Sequence, residues 1–190
     1  MLEHIPSVLG SALSGLKAGM EKTAYQATFP DVPAKLALTS PAFADGAGIP
    51  ARFTADGEGL SPPLAWSGLP DGAAALVLLV EDAGSPTPQP LVHLIAWDVP
   101  TDPGSLAQGA LPSPGRAGTT RHLGQNSFLR PEWLPPDPPS GHGQHAYVFQ
   151  IYALRKPLGL GEEPGRGALI KAMDAQVIAK GRLIGTYSRA

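Results

Sequence analysis

The chain has 190 residues, which is long enough for one domain with a substantial hydrophobic core and short for two. Its net charge of -2 and the lack of any Lys/Arg cluster exclude the electrostatic footprint of a nucleic-acid-binding protein. The sequence contains no cysteine, which excludes disulfides, thiolate nucleophiles and cysteine-ligated metals.

Residues 1–22 carry apolar side chains at steps of three and four, the period of an amphipathic helix. Three glycines weaken this helix, so we expect its apolar stripe to pack on the main body or on a second copy of the chain. A homodimer through this helix, and with it a structural dimer module, is therefore one hypothesis. A membrane-surface role is disfavoured because the stretch has few basic residues. The stripe consists of Ile5, Val8, Leu9, Ala12, Leu13, Leu16 and Met20.

The rest of the chain predicts a strand-rich middle followed by a helix. A linker is expected at residues 23–35, and residues 100–139 form a long stretch rich in Gly and Pro, the kind of loop that often carries function. Runs of apolar and β-branched residues predict strands at 36–40, 74–81, 91–99 and 146–154. Helical spacing at 168–180, with Gly181 as its stop, predicts a C-terminal helix.

No basic start with a continuous apolar core marks a secretory signal, and no apolar run approaches the roughly 20 residues that span a bilayer. A cytoplasmic location without membrane association is the expectation.

Polar residues concentrate in three short stretches, at 56–66, 81–86 and 138–147, and at the lone His93 inside an apolar run. Together they supply carboxylates, imidazoles and a phenol, with proline turns around them. This inventory suits a small pocket that binds an anion, and it lacks an obvious nucleophile. The three stretches contain no Arg or Lys, which predicts weak affinity for a bare anion.

Strand geometry indicates which of these side chains could meet. Residues two apart on a strand face the same way, so His145 shares a face with Tyr147, and His93 shares one with Ile95 and Trp97. Asp82 follows the predicted strand at 74–81. If these strand ends converge, two imidazoles, a phenol and a carboxylate line one cavity.

Other interpretations of the same residues remain open. A single His in an apolar strand is commonly a hydrogen-bonded core residue. His142 and His145 have a spacing that could hold a metal ion, but no third ligand is indicated, so no metal and no cofactor are expected. Ser61 and Ser140 lie outside any G-x-S-x-G elbow, which disfavours a serine hydrolase. An acid–base enzyme using His93, His145 and Asp82 is the second hypothesis for function.

The order of these motifs resembles the phosphatidylethanolamine-binding protein family, in its bacterial Raf-kinase-inhibitor-like subgroup of the YbhB/YbcL type. The resemblance rests on Asp-Gly-x-x-x-Ser-Pro-Pro-Leu-x-Trp from Asp56, an Asp and a Pro turn at a strand end, a strand His, and Pro-Pro-x-Gly-x-Gly-x-His-x-Tyr from Pro138. Residues 124–128 and 185–189 are also similar to that subgroup. The resemblance covers roughly residue 36 to the C-terminus.

The resemblance implies a mainly β fold of two packed antiparallel sheets with peripheral N- and C-terminal helices. It implies an N-terminal helix and linker at 1–35 and a family domain at 36–190. It also implies non-enzymatic binding of a small anion, such as phosphate or a phosphoethanolamine-like headgroup, with regulation through an unidentified protein partner. The site residues that it implies are Asp82, His93, His145 and Tyr147, with Pro86, Pro138 and Pro139 as walls and Asp56 nearby.

Three departures from the family pattern affect the rim rather than the inner residues. Ala83-Gly84-Ser85 replaces the usual Pro-Asp-Ala, Ala146 replaces a frequent Arg, and Leu94 replaces an aromatic residue.

Overall fold

A computed structural model describes Leu13 and residues 15–102, 104–119 and 122–189 of the chain. The chain is built mainly of strands, and one α-helix lies wholly within the described ranges. The strands are β1 (Ala37–Thr39), β2 (Leu64–Ser67), β3 (Ala75–Asp82), β4 (Leu91–Val99), β5 (Ser105–Leu106), β6 (Leu123–Gly124), β7 (His145–Leu154) and β8 (Val177–Tyr187), and the helix is α1 (Arg166–Met173).

The strands form two sheets in which every ladder is antiparallel. The small sheet has the order β1-β2-β5, and the large sheet has the order β6-β4-β3-β7-β8. This architecture confirms the predicted mainly β fold of two packed antiparallel sheets.

β3 lies at the centre of the large sheet, and all eight of its residues are buried. Alternate side chains enter two hydrophobic clusters, as the pleat of a strand requires. Leu78 packs towards the small sheet in one cluster, whereas Leu79 packs in a second cluster with α1. Burial on both faces explains why this strand reads as an unbroken apolar run.

The predicted helix at 168–180 is wrong in its second half. α1 ends at Met173, Ala175 adopts a positive φ of 57°, and the chain returns as β8, which pairs along the whole of β7. Gly181 does not stop a helix. It lies within β8, where a Cβ would come 2.2 Å from the backbone oxygen of Leu36. Pairing with β7 overrides the local helical spacing, because the ladder satisfies the backbone groups of β8 that face β7.

Most of the predicted N-terminal helix, residues 1–12 and 14, lies outside the described residues, so the dimer that it was expected to mediate stays a prediction. The helix does not continue to residue 22, because residues 16–19 have no regular secondary structure and a 3₁₀ turn spans Met20–Lys22. Backbone N–H groups of Ala18 and Gly19 donate to Ser85 and Ala83 at 2.8 and 2.9 Å, which holds this segment against the turn after β3.

The segment predicted as a linker is packed. A π-helical turn spans Ala24–Thr28, and Ala24 and Phe29 are buried in the second hydrophobic cluster. The boundary at residue 36 between the N-terminal segment and the domain remains a prediction. Within the described ranges, no helix combines the length and hydropathy that crossing a bilayer demands.

Candidate functional site

A cavity of about 610 Å³ opens at one end of the large sheet. It brings together most of the predicted site residues. Those that line it are Asp82, Pro86, His93, Pro139, His145 and Tyr147. Asp56 and Pro138 do not line it.

The antiparallel register places the residues of β3 and β7 side by side. Asp82, the last residue of β3, lies directly opposite Tyr147, and His145 is the first residue of β7. Directly opposed residues of an antiparallel pair have Cβ atoms about 4.5–5.5 Å apart. The convergence of the strand ends that the sequence suggested therefore follows from a single ladder.

His93 reaches the cavity through a β-bulge. Val80 pairs with Leu94 and Glu81 pairs with Val92, so His93 is an extra residue on β4. A bulge turns the side chain of its extra residue away from the normal alternation. The prediction that His93 shares a face with Ile95 and Trp97 is therefore wrong, because those two residues pack in the second hydrophobic cluster on the opposite side of the sheet.

The segment that contains Leu134 holds His93 on both its backbone and its ring. Leu134 N–H donates to the His93 carbonyl at 2.8 Å, and His93 Nδ1 lies 2.7 Å from the Leu134 carbonyl oxygen. A carbonyl can only accept, so Nδ1 carries the proton. Burial, partly offset by the nearby Asp82 carboxylate, lowers the pKa of His93 below its usual value, so this ring is neutral at pH 7.

Two buried polar atoms of the cavity residues have no hydrogen-bond partner among the residues that the structure describes. They are His93 Nε2 and the Tyr147 hydroxyl. The two rings meet edge to face with centroids 5.1 Å apart. Burial, reinforced by the Asp82 charge, raises the pKa of Tyr147 well above its usual value, so the hydroxyl keeps its proton and can donate it.

His145 is occupied on both ring nitrogens, unlike His93. Its Nδ1 lies 2.7 Å from Asp82 Oδ2, and its Nε2 lies 2.8 Å from Nδ1 of His142. The other nitrogen of His142 contacts the backbone oxygens of Leu13 and Leu16 at 2.9 and 3.2 Å. His145 therefore has no free N–H for a guest in this arrangement.

The donors and acceptors along the hydrogen-bonded series Asp82–His145–His142 determine where its protons lie. His142 Nε2 must donate to a carbonyl, and His145 Nδ1 must donate to the Asp82 carboxylate. One further proton lies between the two rings. With Asp82 ionised, the two imidazoles together carry three protons, which is one positive charge that the carboxylate balances.

Gly84 allows the turn after β3 to approach β7. A Cβ at this position would lie 2.6 Å from the Cα of His145, and the Gly84 N–H donates to Asp82 Oδ1 at 2.8 Å. The Asp of the family pattern would collide with His145 on this backbone. The Gly at position 84, which departs from the family pattern, is therefore needed for the close contact with His145 beside the cavity.

Asp56, which the resemblance placed among the ligand-binding residues, is hydrogen-bonded to protein side chains that do not line the cavity. Its carboxylate accepts hydrogen bonds from Arg189 Nε at 2.7 and 2.9 Å and from the Tyr187 hydroxyl at 2.6 Å. The Arg189 hydrogen bonds lower the pKa of Asp56. Arg189 also bonds Asp137 and, at 3.2 Å, the Pro138 carbonyl, so it fastens the cavity wall to the C-terminus.

Several functional positions were missed from the sequence. Arg130 lines the cavity, which corrects the inference that no basic residue reaches it. Leu134 sets the tautomer of His93 through its backbone, so no side-chain motif could have revealed it. His142 stood in the Gly-rich motif but was considered only as a metal ligand. Among the described residues, no cluster of three His, Asp or Glu is placed to hold a metal ion.

Comparison with known proteins agrees with this architecture. The family model described as phosphatidylethanolamine-binding protein matches residues 39–188. A UPF0098 protein of Pyrococcus horikoshii is 38% identical over 152 residues, covering 79% of this chain and 75% of the relative. A protein of Mycobacterium tuberculosis, named as a lipoprotein (LppC), is 38% identical over 168 residues, covering 87% and 79%.

Two solved structures share the fold. A phosphatidylethanolamine-binding protein homologue from Chlamydia trachomatis superposes with a TM-score of 0.73 at 34% identity, over 82% of this chain and 98% of its own. YbcL of E. coli, described as a member of the mammalian family, has a TM-score of 0.73 at 26% identity, over 83% and 100%.

Proposed function

This chain belongs to the phosphatidylethanolamine-binding protein family, and from that premise we propose that it binds a small phosphate-bearing anion in the cavity without catalysing a reaction on it. The observation that carries the proposal is the pair of buried, unpartnered atoms, His93 Nε2 and the Tyr147 hydroxyl. A buried polar atom without a partner costs about 1–3 kcal/mol. A guest that hydrogen-bonds both atoms recovers this free energy, and Arg130 at the cavity lining favours an anion.

The acid–base enzyme is less well supported by the same geometry. Both nitrogens of His145 are engaged by Asp82 and His142, so His145 would have to break one hydrogen bond before it could move a proton. Ser85 lines the cavity, but its hydroxyl donates to the Asp82 carbonyl at 3.0 Å and lies 2.7 Å from the Thr87 hydroxyl. Neither contact activates a nucleophile, since neither partner is a general base.

Calorimetric titration with phosphoethanolamine tests the binding proposal. We expect a dissociation constant in the millimolar range, equivalent to about 4 kcal/mol. Tyr147→Phe removes a buried hydroxyl that has no described partner, so it should not lower the free energy of unfolding, while it should weaken binding about tenfold, or about 1.4 kcal/mol.

Tyr152→Phe is the matched control. Tyr152 lies on the same strand, but its hydroxyl donates to Gln150 on the other face of the sheet. This variant should bind like the native protein. Equal affinities of the native protein and Tyr147→Phe would refute the proposed site, and turnover of p-nitrophenyl phosphate that disappears in His93→Gln would favour the enzyme instead.

A further inference from the structure

The hydrogen bond between His93 and Leu134 determines what the cavity offers to a guest. Because Nδ1 donates to the Leu134 carbonyl at 2.7 Å, the neutral ring presents Nε2 as a bare lone pair. A lone pair accepts a hydrogen bond and repels an anionic oxygen. His93 can therefore contact an anion only when a proton is placed between them.

Tyr147 makes the opposite demand. Its hydroxyl is a donor with no described partner, and it needs an acceptor oxygen. The guest that satisfies both residues presents one O–H and one anionic oxygen on the same small group.

The charges around the cavity also oppose a doubly charged guest. Glu58, Asp82, Glu132 and Asp137 line it, against Arg130 as the basic residue of the lining. Asp82 is balanced by the proton on the His142 and His145 rings, Asp137 contacts Arg189, and Glu58 lies 3.5 Å from Arg52. The other charged lining residues, Arg130 and Glu132, have opposite signs, so the cavity offers no excess positive charge and matches a monoanion better than a dianion.

Building on the proposed function, we propose that the cavity binds a phosphomonoester as its monoanion, together with one proton shared between His93 Nε2 and a phosphate oxygen. A second phosphate oxygen accepts the Tyr147 O–H. A phosphodiester, such as an intact phospholipid headgroup, has no proton of its own near neutral pH. It can bind here only when the buried His93 ring is protonated from solution. The favoured ligand class is thus a phosphomonoester rather than a phosphodiester.

The groups that face His93 determine the pH range. Burial lowers the pKa of His93, and the charge of His145 on β7 adds to this effect. Asp82 on β3, the Leu134 carbonyl and Asp137 in the segment before β7 favour the protonated ring, but the net pKa of His93 is lowered. Tyr147 and Trp133 contribute ring contacts, with centroids 5.1 and 6.3 Å away, and Arg130 and Glu132 lie at the cavity lining. Protonation of His93 for a diester therefore requires a pH below its ordinary value of about 6.5.

Titration calorimetry of the full chain tests the proposal with phosphoethanolamine and glycerophosphoethanolamine, which carry the same amine on a monoester and a diester. Measured in HEPES and in Tris at pH about 7.5, monoester binding should take up about one proton, because its second pKa is about 6. Its affinity should fall about tenfold for each pH unit above that pKa. At pH about 6 the diester should bind more weakly than the monoester.

His93→Gln places an amide N–H near the position of Nε2 and cannot titrate. In this variant proton uptake with glycerophosphoethanolamine should disappear, whereas Tyr147→Phe should bind more weakly and keep the uptake. If His93→Gln does not fold, the proton uptake that accompanies binding to the native protein and to Tyr147→Phe is sufficient to test the proposal.

Binding of phosphoethanolamine without proton uptake, or equal affinity for monoester and diester across this pH range, would overturn the inference and leave anion binding intact. Failure of both compounds to bind at any of these pH values would overturn the proposed function itself.

Discussion

The pair Asp82→Ala and Asp82→Asn separates the charge of Asp82 from its hydrogen bonds. Asp82 is 3% exposed and accepts from the Gly84 N–H and from His145 Nδ1. Alanine leaves both donors buried without a partner and leaves the shared proton of the two His rings without its counter-charge. Removing one partner of a buried pair costs about 3–5 kcal/mol of unfolding free energy.

Asparagine should be much less damaging, at about 1 kcal/mol. Its oxygen can still accept from Gly84, and its NH₂ can donate to His145 Nδ1. His145 then donates through Nε2 to His142, which donates onward to the carbonyls of Leu13 and Leu16. Every hydrogen bond survives with both imidazoles neutral, and only the bond between residue 82 and His145 reverses its direction, so the extra proton is no longer needed.

Urea unfolding followed by tryptophan fluorescence measures both variants, because Trp97 and Trp133 are buried. Asp45 supplies the control, since it is exposed and accepts one backbone hydrogen bond, from Ile184 at 2.8 Å. Asp45→Ala and Asp45→Asn should differ by less than about 1 kcal/mol. If the unfolding free energies of Asp82→Ala and Asp82→Asn also agree to within about 0.5 kcal/mol, the assignment of three protons to the His142 and His145 rings is wrong.

Three further predictions concern stability and the cavity wall. Because the pKa of His93 is lowered in the folded state, the unfolded state binds more protons below about pH 6.5. The free energy of unfolding, measured by urea titration, should therefore fall as the pH drops below that value. His93→Gln should flatten this part of the pH profile. Gly84→Ala should cost about 1–3 kcal/mol in the same assay, since its Cβ meets His145, whereas Gly167→Ala, in open space within α1, should be neutral or stabilising by up to about 1 kcal/mol. Asp56→Asn should leave the affinity for phosphoethanolamine unchanged and lower stability by no more than about 1 kcal/mol, because its partner Arg189 is not a cavity residue; a large loss of affinity would restore Asp56 to the binding site.

The sequence determined the strands at 74–81, 91–99 and 146–154, because buried central strands have unbroken apolar runs and these runs are short and contain β-branched or aromatic residues. It also singled out Asp82, His93, His145 and Tyr147, whose polar chemistry stands out against those runs. It could not predict β8, since the helical spacing of Leu169 and Met173 in α1 continues to Val177, where β8 begins, and only the pairing with β7 makes the chain extended there.

Only the tertiary structure decided how the four residues divide their roles. The bulge in β4 turns His93 towards Tyr147, a backbone carbonyl of Leu134 sets its tautomer, and His142 engages the second nitrogen of His145. The first two effects depend on distances between groups far apart in the chain, and the third depends on the conformation of residues 142–145. The proton position on a His ring depends on which donor or acceptor lies within hydrogen-bond distance of each nitrogen, which is why the sequence identified the side chains but not the protons they hold.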